Sequence, residues 1–336
     1  MKYIVKRLGQ SIFTVFAVVS FSFGLIRLLP GGPMDYLRAQ IMEQGGSGLS
    51  PEAINRRIEA QSGINPDEPV FVQYIDYMVG LVQGDLGQSV WYGDPVASII
   101  GPAIPWTVFL TASALFLAFT VGVSLGALMA YKEGSKFDVG STGVSLVLNS
   151  TPGYVVALLL VAYMGYRYNV FPTGGRYNSA LDPGFTLPFL RSVLYHGAMP
   201  IASMAVVGFG GWALSMRGNS IRVLGEDYLR VARLRGLSTR RIALRYVARN
   251  AILPMYTGLM IAIGTVFGGA VIIENIFAYP GVGFYLVKSI SARDYPLMMG
   301  GFILITVAMV IGITIADLTY GWLDPRAKGG ASRESY

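Results

Sequence analysis

The stretch from Arg217 to Pro254 reads RGNSIRVLGEDYLRVARLRGLSTRRIALRYVARNAILP and lies between two apolar segments. It carries nine arginines, at 217, 222, 230, 233, 235, 240, 241, 245 and 249, opposed only by Glu226 and Asp227. Ile221, Leu224, Tyr228 and Val231 recur at steps of three and four, which predicts one apolar face of a helix. Gly236 ends that helix, because glycine tolerates the backbone angles of a helix stop. Ser238 then offers an N-cap for a second helix. There Arg241, Arg245 and Arg249 align at i, i+4 and i+8, and the helix enters a membrane at Asn250. Two readings follow. The loop can be a topological anchor whose arginines touch anionic headgroups. Alternatively, a short helix broken by glycine is a protruding knob suited to a cleft on a second protein.

Composition sets the class. Of 336 residues, 53% are hydrophobic and 13% charged, against about 25% charged in an average soluble domain. That pattern is an integral membrane protein's. The formal charge of +7 gathers in loops beside apolar segments, where lipid and orientation explain it without nucleic acid. Cysteine is absent and His196 is the single histidine, which excludes disulfides, thiolate catalysis and Cys- or His-rich metal sites. The chain also lacks a phosphate-cradling Gly-x-x-x-x-Gly-Lys-Ser/Thr loop and a His-Glu-x-x-His pair, so an enzyme is a poor reading.

The apolar runs are Leu8–Leu29, Trp106–Tyr131, Ser141–Tyr166, Ala198–Met216, Asn250–Ile273 and Leu297–Trp322. Each approaches the roughly 20 residues that cross a bilayer. The first is too long for a cleaved leader and lacks a small-x-small site, so it is expected to remain. Arg27 near its far end can snorkel. Residues 30–105 are polar and rich in Gly and Pro and read as an external subdomain. In it Ser50-Pro51-Glu52 starts a helix, and Phe71, Tyr74, Ile75, Met78, Leu81 and Val82 form a stripe that packs on the membrane surface or on its own subunit. Gly84-Asp85-Leu86-Gly87 turns the chain. Lys2, Lys6, Arg7, Lys132, Lys136, the loop arginines, Arg326, Lys328 and Arg333 crowd one side, which places both termini in the cytoplasm. The expected division is therefore a first helix over 1–29, the external subdomain over 30–105, a five-helix core over 106–323 and a polar tail over 324–336.

Several polar or small residues stand out within the spans. Asn149, Ser150 and Thr151 interrupt the third beside Pro152 and Gly153. Polar groups in hydrocarbon need partners, so they either hydrogen-bond between helices or line a pathway. Gly264, Gly268 and Gly269 allow close helix approach. Asp317 reads as a packing hydrogen bond or salt bridge near the inner face. Glu274, at the end of the fifth span, could face substrate or simply water.

Arg230-Val231-Ala232 followed after three residues by Gly236 resembles the cytoplasmic "EAA" loop of the membrane subunits of ABC importers. The longer string resembles the dipeptide, oligopeptide and nickel branch of that family: Asp227-Tyr228-Leu229-Arg230, Ala232-Arg233, Gly236-Leu237-Ser238 and Arg249-Asn250-Ala251-Ile252-Leu253-Pro254. The Leu-Pro pair lies further beyond the glycine than in sugar permeases, as in the peptide branch. The likeness extends through Arg27-Leu28-Leu29-Pro30-Gly31 and Phe171-Pro172-Thr173-Gly174-Gly175. It is densest from Gly264 to Arg326, with Glu274, Phe277, Pro280-Gly281, Gly283, Ala292-Arg293-Asp294-Tyr295-Pro296 and Asp324-Pro325-Arg326. It is weakest over 38–65.

The resemblance implies an all-α polytopic membrane protein with the six-helix type I ABC importer permease fold. Residues 217–249 would hold the coupling helix that seats in a groove of an ATPase, with Asp227, Tyr228, Arg230, Ala232, Arg233, Gly236, Leu237 and Ser238 at the contact. Asn149, Ser150, Thr151, Pro152 and Glu274 would lie near the translocation route. Partners would be a second, similar permease, two ATPase subunits and an extracytoplasmic binding protein in a prokaryotic cell membrane. ATP and Mg would be used by the ATPases, with no cofactor in this chain. Cargo would be a peptide, an oligosaccharide or a nickel chelate. A stand-alone secondary transporter or channel is the rival reading, but an ion-coupled transporter should bury ionisable residues, and Asp317 alone stands out.

Overall fold

The computed structural model describes residues 2–28, 33–43, 48–62, 65, 67–238, 241–266 and 270–323; within its helices a few side chains, Asp317's among them, are outside the description. Gly268, Gly269, the surroundings of Gly264 and the tail 324–336 also lie outside the described residues.

The described chain is helical. Its elements are α1 (Lys2–Leu28), α2 (Pro33–Ile41), α3 (Pro51–Ser62), α4 (Val70–Val82), α5 (Val96–Ile100), α6 (Ile104–Tyr131), α7 (Lys136–Ser150), α8 (Gly153–Leu160), α9 (Leu187–Leu224), α10 (Asp227–Leu234), α11 (Arg249–Val266), α12 (Val271–Ile276), α13 (Val282–Ala292) and α14 (Tyr295–Leu323). Wide π turns continue α8 through Val161–Arg167 and precede α11 over Ile242–Ala248. Among the described residues four helices are long and apolar enough to cross a membrane, or five when the bent pair Lys136–Ser150 and Gly153–Arg167 counts as one. α11, at 18 residues, covers the first part of the predicted Asn250–Ile273 span and is not one of these candidates.

The chain forms two compact units. The first comprises Met1–Thr107, Gly268–Asn275 and Pro280–Ile311. Leu37 and Ile41 of α2 bury against Ile54 and Ile58 of α3, and Ser50 accepts the Ala53 amide at the predicted helix start. The predicted α4 stripe packs on its own subunit only in part. Phe71 and Val82 are exposed, while Tyr74 and Tyr77 pack on Phe23 of α1 with ring centroids 5.4 and 5.6 Å away. One edge-on ring (Tyr74), one stacked ring (Tyr77) and one hydrogen bond, Ser20 to the Tyr74 hydroxyl at 2.6 Å, hold this face on α1. Val96, Ile100, Ala103, Val282 and Leu297 make a third core.

The second unit comprises Val108–Phe267, Ile276–Tyr279 and Gly312–Tyr336. α9 is its axis. At 38 residues it spans roughly 57 Å at 1.5 Å per residue, well beyond the predicted 198–216 segment. α6 lies against it through Gly122 and Gly126. A Cβ at Gly122 would stand 2.5 Å from the Trp212 Cβ and 2.7 Å from the Phe209 carbonyl, and one at Gly126 would meet the Ala213 carbonyl. This is close approach through glycines four apart, the usual device of packed membrane helices. Met216, Ala251 and Met255 join α9 to α11, with Phe119 edge-on to Trp212 at 5.0 Å.

Candidate functional site

The arginine-rich stretch does not begin as one helix. α9 runs through Ile221 to Leu224, and Glu226 is extended (φ −75°, ψ 138°) before α10 starts at Asp227. Asp227 in the first turn and Arg233 in the last complement the helix dipole. The stop at Gly236 is as expected and its hydrogen bonds are explicit. The Gly236 amide donates to the Arg233 carbonyl at 2.9 Å and the Leu237 amide to the Ala232 carbonyl at 3.3 Å, with Gly236 at φ +71°. That pair of bonds is a Schellman stop, and the accompanying apolar contact of Leu237 with the Ala232 cluster completes it. The Ile242 amide then donates to the Ser238 carbonyl.

The break at Gly225–Glu226 turns α10 about its axis. Leu229 and Ala232 are buried with Ile242 and Val247. Tyr228 and Val231 of the predicted apolar face, with their neighbour Leu234, are 41%, 51% and 82% exposed. Tyr228 stays anchored, because the Asn250 side-chain amide donates to its hydroxyl at 3.1 Å. Arg230 and Arg233 are exposed beside this apolar strip. A Cβ on Gly236 would meet nothing within 4 Å, so its requirement in this chain is the positive φ rather than space.

At the interrupted span the axis bends by 93° between α7 and α8. Thr151 is extended (φ −87°, ψ 126°) ahead of Pro152, the conformation proline imposes on its predecessor. Asn149 and Ser150 are exposed in the isolated chain, while the Thr151 hydroxyl returns to the Val147 carbonyl at 2.8 Å. α7 docks on α9 at Gly210 and Gly211. A Cβ at Gly210 would lie 2.6 Å from the Ser145 carbonyl, and one at Gly211 would lie 2.7 Å from the Asn149 Oδ1.

Glu274 faces neither solvent nor an open space. It is 0% exposed. Thr107 donates its hydroxyl to Oε1 at 2.6 Å, the Phe284 amide donates to Oε2 at 3.1 Å, and the Val282 amide donates to the Thr107 oxygen at 2.9 Å. The carboxylate thus caps the N-terminus of α13 from outside that helix. Gly281 and Gly283 leave room for it, since a Cβ at either would collide with its oxygens.

The roles of two more carboxylates escaped the sequence reading, although Asp294 stands in the Ala292–Pro296 string. Asp138, 2% exposed, holds Arg217 through two bonds of 2.6 and 2.8 Å and accepts the Gly134 amide at 3.1 Å. It therefore ties the start of α7 to α9. The available signal was Ser135-x-x-Asp138, a capping pattern; Ser135 does accept the Asp138 amide. Asp294, 1% exposed, accepts the Leu297 amide at the start of α14 and the Ser89 hydroxyl and Trp91 amide from a distant turn. Its neighbour Arg293, at φ 54°, ends α13 with the same double hydrogen bond seen at Gly236.

Comparison with known proteins identifies the family. The family described as "Binding-protein-dependent transport system inner membrane component" matches residues 122–329, which include the bent span, the α10 loop and the Glu274 and Asp294 caps. The dipeptide transport system permease protein DppB of Escherichia coli (strain K12) is 30% identical over 345 positions, covering 98% of this chain and 99% of that one. The di/tripeptide permease protein DppB of Pseudomonas aeruginosa is 32% identical, with 98% and 99% covered. The oligopeptide permease protein AppB of Bacillus subtilis is also 32% identical, with 96% and 98% covered. The chain belongs to the binding-protein-dependent transport system inner membrane component family, the permeases of ABC importers, in its peptide branch.

Proposed function

We propose that this chain is the membrane-spanning subunit of an ATP-driven importer of short peptides, and that α10 with its Gly236 stop is the element an ATPase subunit grips. The cargo reading rests on the relatives, whose names are those of dipeptide, di/tripeptide and oligopeptide permeases. The docking reading rests on the strip Tyr228, Val231 and Leu234, apolar and exposed on a helix whose other face is fixed by Leu229 and Ala232. A rigid helix with a spare apolar face and arginines at its rim suits a groove edged by acidic groups, where the charges speed encounter and the apolar centre supplies affinity.

In this reading a second, similar permease completes the pathway, two ATPases hydrolyse ATP with Mg, and a binding protein delivers peptide from outside. The assembly sits in a prokaryotic cell membrane with both termini of this chain in the cytoplasm. ATP-driven closure of the ATPases pulls α10, and α9, continuous from Leu187 to Leu224, carries the movement to α6 and α7. Asn149, Ser150, Thr151 and Pro152 lie on the route. Glu274 holds the start of α13.

The test is copurification of epitope-tagged chain with the ATPases. Val231→Asp with Leu234→Asp places charges on the exposed strip and leaves the buried face alone. Membrane levels should stay normal, while recovered ATPase and peptide uptake each fall about tenfold or more, as for a central interface position. Gly236→Arg should do the same by disturbing the stop. Arg241→Ala with Arg245→Ala should cost less, because those charges meet headgroups. Full recovery and full uptake in the charged double variant would reduce the stretch to a topological anchor.

A further inference from the structure

A cavity of about 790 Å³ opens where α6 and α9 end beside the arginine loop. We infer that it is a phospholipid site, selective for an aminophospholipid whose phosphate meets Arg233 and whose ammonium meets Glu133. This inference does not depend on the coupling role of α10.

Three observations carry it. The walls are apolar on three elements, through Leu128 of α6, Leu224 of α9 and Val247 ahead of α11. Opposite charges, Arg233 and Glu133, line the same cavity, and both are exposed. Ser220 is also among the lining residues; it is 1% exposed, and its buried hydroxyl oxygen has no hydrogen-bond partner among the described residues. A buried hydroxyl without a partner is uncommon in a folded protein, and an ester or phosphate oxygen of a lipid would supply one.

The position suits this chemistry. Leu128 and Tyr131, 42% and 55% exposed, leave one side of the cavity uncovered, so that acyl chains can run out along α6. Basic pockets between helices at a membrane surface are recognised headgroup sites. The facing carboxylate here changes the preference. A purely anionic headgroup would meet Glu133 as a like charge, and free phosphate would leave the apolar walls uncovered. A zwitterion with a hydrogen-bonding ammonium satisfies both charges.

The experiment is native mass spectrometry of the full-length chain in detergent micelles, with phosphatidylethanolamine, phosphatidylglycerol and phosphatidylcholine added at equal concentration. Phosphatidylethanolamine should be retained in preference to the other two. Arg233→Gln should lower that retention about fivefold, the size of effect of one basic side chain at a lipid surface. Glu133→Gln should abolish the preference over phosphatidylglycerol. Both side chains are exposed, so neither change threatens folding. Glycerophosphoethanolamine, the headgroup without acyl chains, should not displace the lipid. Equal retention of all three lipids by the unaltered chain, unchanged retention in both variants, or displacement by the free headgroup would each overturn the site. So would recovery of the chain with detergent alone.

Discussion

Glu274 shows what a residue name in a motif conceals. The string Glu274, Pro280-Gly281, Gly283 marked the family, yet its spacing said nothing of burial. The carboxylate proves to be a cap for α13, and the glycines are the space it needs. Glu274→Ala should destabilise the chain by about 2–3 kcal/mol, the scale of hydrogen bonds to a charged group, and Thr107→Val should destabilise it less. Thermal unfolding of detergent-solubilised protein measures both; stability unchanged in Glu274→Ala would remove the cap from the account. Asp138 makes a parallel case. Its position was visible in the sequence, but Arg217 lies 79 residues away and only the folded α7–α9 contact joins them. Asp138→Asn should cost about 3 kcal/mol, the low end for breaking a buried pair, because Arg217 is 28% exposed and regains some water. Exchanging the two, Asp138→Arg with Arg217→Asp, should recover part of that loss, whereas no recovery would mean that geometry rather than charge holds the site.

Among the elements, the sequence disclosed apolar runs, the interrupted third span and the glycine stop, because each follows from local chemistry. Proline restricts its predecessor, glycine accepts positive φ, and hydrophobic length shows directly. Helix rotation was not legible in the same way. The period of Ile221, Leu224, Tyr228 and Val231 is genuinely helical, but Gly225 and Glu226 reset the axis, so the last two belong to another helix. The ends of α9 were also hidden, since its outer turns carry polar residues that hydropathy discounts. Gly122 and Gly126 were readable as a small-residue pair and identify the α6 face. Gly126→Leu should prevent α6 from seating on Ala213 and Met216, with a loss of about 1–3 kcal/mol or failure to accumulate in the membrane. Wild-type levels and melting in that variant would contradict the contact. Asn149→Leu is a gentler test of the bend. Assembly should survive while peptide uptake falls, and normal uptake would leave Asn149 as packing against Gly211 only.

For the whole molecule, the charge bias predicts that residues 30–105 and the arginine loop lie on opposite sides of the membrane. The native chain lacks cysteine, so single introduced thiols report on this directly. Ser89 is unsuitable, being buried and bonded to Asp294; Asp94, exposed on the same turn, serves instead. Asp94→Cys in intact cells should react with an impermeant maleimide and Ser238→Cys should not. Labelling of Ser238→Cys from outside would invert the topology. The uncovered strip on α10 has a consequence for the cell as well. On the proposed docking, Tyr228, Val231 and Leu234 stand open on a chain made without its ATPase, and exposed apolar side chains of that kind engage chaperones and proteases. Surplus copies of this subunit should therefore be short-lived, and its abundance should be set by how much ATPase the cell makes rather than by its own rate of synthesis.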